Sequence, residues 1–213
     1  MCGIAGWIGS RNTGSETFSQ KLRAIQNVIE LQDHRGPDAN GIWEDKQGNV
    51  ILGHNRLSIV DLSETGAQPM KDNSGNWIIS YNGELYNHNQ LREELDKKFN
   101  VSFVGKSDTE VVLYSIKHFG IDEFLRKADG MFALAIYDKQ SGDFYLARDR
   151  VGEKPVYFFK TKEGFCFGSE LKGLTKMFDE ELVVDEQGLQ LYLLLRYVPA
   201  PHTILSGIKK LIP

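Results

Sequence analysis

Cysteine and proline are both scarce: the 213 residues include two cysteines, Cys2 and Cys166, and six prolines. Two cysteines could make one disulfide, which a reducing compartment disfavours, and the ordinary globular composition, 41% hydrophobic and 25% charged, makes a collagen-like or disordered polymer a poor reading. No apolar run approaches the roughly 18 residues that a membrane-crossing helix needs. G-x-x-x-x-G-K-[ST] and G-x-G-x-x-G are both missing, which removes the usual phosphate-cradling loops. The five histidines, His34, His54, His88, His118 and His202, show no H-x-x-x-H pair and no ligand spacing, so no metal site is expected. A large excess of either charge is also lacking. The formal net charge is −4, which argues against a dedicated nucleic-acid binder. The opening MCGIAGWIGS has no basic stretch ahead of an apolar core, so no secretory signal is expected. The expected setting is cytoplasmic, with thiols kept reduced.

What is present is ordinary globular material, 41% hydrophobic and 25% charged, enough for one substantial domain or one domain plus the start of another. Gly3–Gly9 reads as a short buried strand whose glycines permit close packing. Phe18, Leu22, Ile25 and Ile29 recur at helical spacing over 16–31. His34–Asp38 then interrupts with turn residues. Strands are expected at Val50–Leu52, Leu57–Val60, Trp77–Tyr81 and Val101–Val104, and again at Met131–Tyr137, Phe144–Arg148, Val156–Lys160 and Phe165–Gly168. Helices are expected over His88–Lys98, with Asn87 as its cap, and from Ser107, where Ser107-x-x-Glu110 has the form of a capping box and Gly120 is the stop. Connections this short imply antiparallel pairing. Asp185 caps a further expected helix through Leu189, Tyr192, Leu193 and Arg196.

Cys2 stands out by position. A cysteine after the initiator methionine is small enough for that methionine to be removed, and one residue then carries both a thiol and a free α-amine. The amine titrates near 7.7–8.0 and the thiol near 8.5, which suits the amine to general-base work without a histidine. Cys166, between Phe165 and Phe167, reads as a small buried hydrophobe. A thiol attacking a carboxamide needs donors for the oxyanion. Asn82 offers an NH₂ and Gly83 an unshielded backbone N–H, although Asn-Gly by itself reads more readily as a hairpin turn. Arg56 sits among apolar residues and suits a carboxylate as well as a structural ion pair. Asp108, at a helix start, suits an ammonium as well as the helix dipole.

Met1-Cys2-Gly3-Ile4, His34-Arg35-Gly36-Pro37-Asp38, Gly53-His54-Asn55-Arg56-Leu57-Ser58-Ile59-Val60-Asp61, Gly66-Ala67-Gln68-Pro69-Met70 and Tyr81-Asn82-Gly83-Glu84-Leu85-Tyr86-Asn87 occur in that order. Ser107-Asp108-Thr109-Glu110-Val111, Asp129-Gly130-Met131-Phe132-Ala133 and Ala147-Arg148-Asp149-Arg150-Val151-Gly152 follow. Over nearly its whole length the chain resembles the N-terminal glutaminase domain of glutamine-dependent asparagine synthetases, which are class II glutamine amidotransferases.

The resemblance implies an α+β fold, the N-terminal-nucleophile hydrolase sandwich of four layers, αββα, with two antiparallel sheets. It implies that Cys2 attacks the side-chain amide of L-glutamine, passes through a glutamyl thioester and releases ammonia. Arg56 would bind the substrate carboxylate and Asp108 its α-amino group. Leu57, Ile59, Val60 and Glu84 would line the pocket, and Asn82 and Gly83 would form the oxyanion hole. His34–Asp38 matches the family's signature loop without an assigned step. The glutaminase domain, taken as residues 2–184, needs no cofactor. Residues 185–213 would be a linker and the start of a C-terminal synthetase domain, which in the family uses ATP and Mg²⁺ to amidate aspartate. The partners implied are L-glutamine and that synthetase domain, with no nucleic acid and no membrane, and a homodimer is left open. A different acceptor, such as a sugar or an intermediate of polysaccharide or antibiotic synthesis, is the alternative. An acylase acting on larger amides is a competing class, disfavoured because an Arg56–Asp108 pair is wasted on an apolar acyl group. An inactive interaction module would be favoured if Met1 stayed in place.

Overall fold

A computed structural model describes residues 1–10, 13–45, 47, 50–59, 61–178 and 181–213. Ten strands are assigned among them: β1 (Gly3–Gly9), β2 (Ala39–Glu44), β3 (Val50–Arg56), β4 (Met70–Lys71), β5 (Trp77–Leu85), β6 (Gly130–Asp138), β7 (Phe144–Arg148), β8 (Tyr157–Lys160), β9 (Gly164–Gly168) and β10 (Lys209–Lys210). The helices are α1 (Ser15–Leu31), α2 (His88–Phe99), α3 (Asp108–Phe119), α4 (Ile121–Lys127), α5 (Leu171–Leu174) and α6 (Glu186–Leu195). The strands form a six-stranded sheet in the order β10-β8-β9-β1-β3-β2 and a four-stranded sheet in the order β4-β5-β6-β7. Every pairing between these strands is antiparallel.

The layering follows from alternation along each strand, since successive side chains leave opposite faces. On β6, Ala133, Ala135 and Tyr137 point into a core shared with Ile4, Leu52 and Phe167 of the other sheet. Phe132, Leu134 and Ile136 point the other way, onto Val111, Val112 and Phe124 of α3 and α4. On β1, Ile4 faces the inter-sheet core while Ala5 and Trp7 face Ile25 and Val28 of α1. Helix, sheet, sheet, helix is therefore the stacking, the αββα sandwich expected. Glycine at position 6 lets the layers close up, because a Cβ there would meet the Phe167 ring at 2.4 Å.

Two expected strands are absent for a common reason. Val101–Val104 and Leu57–Ile59 are irregular, and Val60 lies outside the described residues. In both segments side chains take the backbone groups that a ladder would otherwise pair. Glu110 accepts from the N–H groups of Val104 and Gly105 (2.8 and 2.9 Å), and Arg92 donates to Gly105 O. Asp38 Oδ2 accepts from Ser58 N at 2.7 Å.

Those bonds also alter the expected capping box. Ser107 caps α3 by accepting from Thr109 N at 3.1 Å, but Glu110 faces the preceding loop rather than returning to Ser107. Asn87 precedes α2 as expected, yet its amide bonds Lys127 O and Asp129 N instead of capping the helix. Asp185 caps α6 through Gly188 N at 2.7 Å. After α6, Ile208 is buried beside Phe159 and β10 extends the six-stranded sheet at β8.

Candidate active site

Cys2 precedes β1, a central strand, and its backbone is held from the side. Arg35 Nε donates to Cys2 O at 3.0 Å, and Arg35 is held in turn by Glu170 at 3.0 Å. The thiol is half-buried. It donates to Leu57 O at 3.6 Å, and its sulfur accepts from Leu57 N at 3.3 Å. Burial pushes the Cys2 thiol up from its ordinary value. The Leu57 N–H and the nearby terminal amine pull it back.

In front of the sulfur lies a cavity of about 280 Å³, where the ends of β1 and β3 meet the edge of β5 and the start of α3. Cys2, Arg56, Leu57, Ile59, Asn82, Gly83, Glu84 and Asp108 all line it, so residues named across the sequence are brought to one place. Val60, named with them, lies outside the described residues. None of the five histidines lines the cavity among the described residues. His54, next to the site on β3, is fully buried with Nε2 on Tyr81 O at 3.0 Å, and burial lowers its pKa to about 4. At neutral pH it is an uncharged packing group.

The hairpin reading of Asn82-Gly83 fails, because both residues lie inside β5. Gly83 pairs with Phe132, whose carbonyl accepts from Asp149 N on the far side. Strand alternation therefore turns the N–H groups of Tyr81, Gly83 and Leu85 away from β6, toward the edge that short β4 leaves uncovered. Gln68 Oε1 takes the Tyr81 N–H at 2.6 Å and Asp108 Oδ2 takes the Leu85 N–H at 2.9 Å. The Gly83 N–H lies between them at the cavity wall. Glycine is required here by packing as well, since a Cβ would sit 2.5 Å from Met131 O. Asn82 is 1% exposed, and among the described residues its Nδ2 has no hydrogen-bond partner.

Arg56 donates from Nη1 to Ser63 O at 2.9 Å and from Nη2 to Asp61 O. Among the described residues these bonds engage two of the five N–H donors of a guanidinium. Asp108 is buried, and desolvation raises its pKa against the pull of the Leu85 and Thr109 N–H groups. Arginine and carboxylate thus stand in one small cavity.

Sequence reasoning missed four contributors. Arg35 and Glu170 anchor Cys2, Gln68 anchors β5, and Lys154 lines the cavity at 7% exposure. Arg35 and Gln68 belonged to motifs already noticed, without an assigned role. Glu170 and Lys154 became visible only when distant segments met.

Residues 1–213 match the glutamine amidotransferase domain family. The chain belongs to this family. Asparagine synthetase [glutamine-hydrolyzing] 1 of Bacillus subtilis is 36% identical over 213 residues, covering 100% of this chain and 32% of that protein. Asparagine synthetase [glutamine-hydrolyzing] 3 of the same organism is 37% identical over 216 residues, covering 100% of this chain and 34% of that protein. Amidase chry2 of Gibberella zeae is 35% identical over 177 residues, 81% of this chain and 26% of that protein. The chain spans about a third of the length of the curated relatives it matches. Among solved structures, the glutamine phosphoribosylpyrophosphate amidotransferase of B. subtilis superposes with a TM-score of 0.62 at 19% identity, over 99% of this chain and 49% of that one. That likeness shows the N-terminal-nucleophile hydrolase fold. The chain is a glutamine amidotransferase domain of the type found in glutamine-hydrolysing asparagine synthetases. No helix among the described residues is long and apolar enough to cross a membrane.

Proposed function

We propose that this domain hydrolyses L-glutamine to L-glutamate and ammonia at Cys2, once Met1 has been removed. The observation that carries the reading is one cavity holding a thiol, a buried amide donor on Asn82 that has no partner among the described residues, and the opposite charges of Arg56 and Asp108. Met1 is 55% exposed and lines the same cavity, so its removal both frees the Cys2 amine and enlarges the space before the sulfur.

Arg56 takes the α-carboxylate and Asp108 the α-ammonium, which leaves the side-chain amide directed at Cys2. Leu57, Ile59, Val60 and Glu84 shape the surrounding walls. The Cys2 amine accepts the thiol proton while sulfur bonds to the amide carbon, and the carbonyl electrons move onto oxygen. Asn82 Nδ2 and the Gly83 N–H donate to that oxyanion, an interaction whose loss costs about 2.7–4 kcal/mol in comparable sites. Collapse breaks the C–N bond, the protonated amine returns its proton to the departing nitrogen, and ammonia leaves a γ-glutamyl thioester. Water, deprotonated by the same amine, then adds to the thioester and releases glutamate and the thiol.

The ammonia would serve asparagine synthesis from aspartate, driven by ATP with Mg²⁺ in a synthetase domain of the same full-length chain. The B. subtilis relatives carry that name and are about three times longer than the match. A different acceptor is the second reading, left open by the similarity to a protein that is not named an asparagine synthetase. Residues 185–213, taken from the sequence as a linker after a domain at 2–184, instead return to the domain through Ile208 and β10 before leading on to the rest, and the site lies in the cytoplasm.

The test is intact-mass and peptide analysis after treatment with a diazo-ketone analogue of glutamine, beside ammonia release by wild type and Cys2→Ala. The expected result is a chain lacking Met1, one adduct on the peptide that begins with Cys2, and no ammonia from the variant. An adduct on Cys166, or equal turnover by Cys2→Ala, overturns the mechanism.

A further inference from the structure

Beta-strand edges rarely stay half-covered, and β5 does so beside the nucleophile. β4 pairs with β5 only at Met70–Ile79 and Lys71–Ile78. A strand continuing back past Met70 would bring Pro69 and Gln68 opposite the next residues of β5. Pro69 has no N–H to give to a ladder. In place of a ladder, the Gln68 side chain reaches the edge, and its Oε1 accepts from Tyr81 N at 2.6 Å. The other end of the same amide, Nε2, donates to Thr109 Oγ1 at 3.2 Å in the first turn of α3.

The backbone of Gln68 is fixed independently. A Cβ built on Gly41 of β2 would stand 2.2 Å from Gln68 O, so this segment lies tight against the other sheet. One residue therefore touches β2 with its main chain, β5 with its amide oxygen and α3 with its amide nitrogen. Its β5 partner adjoins Asn82 and Gly83, and its α3 partner adjoins Asp108. Asp108 Oδ2 performs the matching task at Leu85, so the Gly83 N–H is framed by two side-chain acceptors and left for the cavity.

We infer that Gln68 is a positioning residue for the oxyanion donors: it holds the Tyr81–Gly83 backbone in line from the edge while keeping a strand from covering Gly83. The inference deepens the proposed glutaminase reading and rests on it. Gln68 acts on substrate through Tyr81, not by contact with the reacting atoms. Its effect belongs to the transition state, where the oxyanion forms, more than to capture of the zwitterion by Arg56 and Asp108. Misalignment of a donor by about 1 Å costs on the order of 10²-fold in rate.

Two substitutions separate this role from general support of the fold. Gln68→Met keeps the length and removes both hydrogen bonds. Gln68→Glu keeps an acceptor for Tyr81 N–H, and the Thr109 hydroxyl can turn to donate to it. Ammonia release from glutamine is followed for kcat and KM, beside Cys2 alkylation by iodoacetamide, which forms no oxyanion. Gln68→Met is expected to lose kcat by roughly 10–100-fold with KM nearly unchanged. Its alkylation rate should match wild type, and Gln68→Glu should recover most of kcat. Unchanged kcat in Gln68→Met overturns the assignment, as does an equal fall in kcat and alkylation, which signals loosening of the whole site. Wild type that releases no ammonia overturns the glutaminase reading itself, an outcome visible before any variant is compared.

Discussion

A sulfur atom next to a free amine matters only if both face a substrate. Cys2 is buried enough for desolvation to raise its thiol above the ordinary range, with the Leu57 N–H opposing the shift. Alkylation of the form that keeps Met1 should therefore accelerate with pH later than for a free cysteine, whose thiol titrates near 8.5. A rate profile with its midpoint at or below that of a free thiol would contradict this environment. Arg56 holds the carbonyls of Ser63 and Asp61 through its Nη groups and lines the cavity, where the proposed function gives it a second job on the substrate carboxylate. Arg56→Ala should raise KM for glutamine by roughly 10–100-fold, the worth of a charge-assisted hydrogen bond, with a smaller loss in kcat. Unchanged saturation curves would remove Arg56 from substrate binding.

At the scale of elements, helix α3 shows how local chemistry serves the site. Ser107 satisfies Thr109 N, and Asp108 follows in the first turn with one oxygen on Thr109 N and the other on Leu85 N of β5. The cap thus secures the helix end that carries a proposed substrate-binding carboxylate. Ser107→Ala should cost about 1 kcal/mol of stability, or about 2–4 °C in melting temperature for a domain this size. Thermal unfolding at pH 7 checks it, and a shift under half a degree would show that the cap contributes nothing. Glu110, three residues on, was expected to complete a capping box. It instead accepts from Val104 and Gly105, so the loop before α3 is ordered by a carboxylate from within the helix.

The whole molecule should lose stability in acid in two stages, each with a named group. His54 is buried and neutral, with a pKa near 4 against an ordinary 6.5. The unfolded chain binds a proton between those values that the folded chain refuses, so stability is full above about 6.5 and falls toward pH 4. Asp72 is held at about 2 against an ordinary 3.8: burial alone would raise it, but Lys117 at 2.6 Å, Ser74 and the Trp77 N–H outweigh that. Its contribution is present above about 4 and is lost as pH falls through 2. Denaturant titrations from pH 7 to 3 should show the decline, and His54→Gln should flatten the limb between about 6.5 and 4. An unchanged slope in that variant would mean that His54 is not the group responsible.

Periodicity and short connections were enough to determine antiparallel sheet with helices packed over it, and the resemblance implied the αββα layering that alternation along β1 and β6 carries out. The resemblance also named Cys2, Arg56, Asn82, Gly83 and Asp108 as the residues to examine. Local patterns failed where side chains from far away took over the backbone. Leu57–Ile59 and Val101–Val104 look like strands in sequence, yet Asp38 and Glu110 satisfy groups a ladder would have used. Asn82-Gly83 looks like a turn, yet nine residues of β5 run straight through it because β6 pairs along its full length. Only the tertiary structure decided that the edge beside Gly83 stays open, since that depends on where β4 stops and on Gln68 and Asp108 arriving from opposite ends. Hydrogen bonds between segments distant in sequence leave no periodic trace, and those bonds shape this cavity.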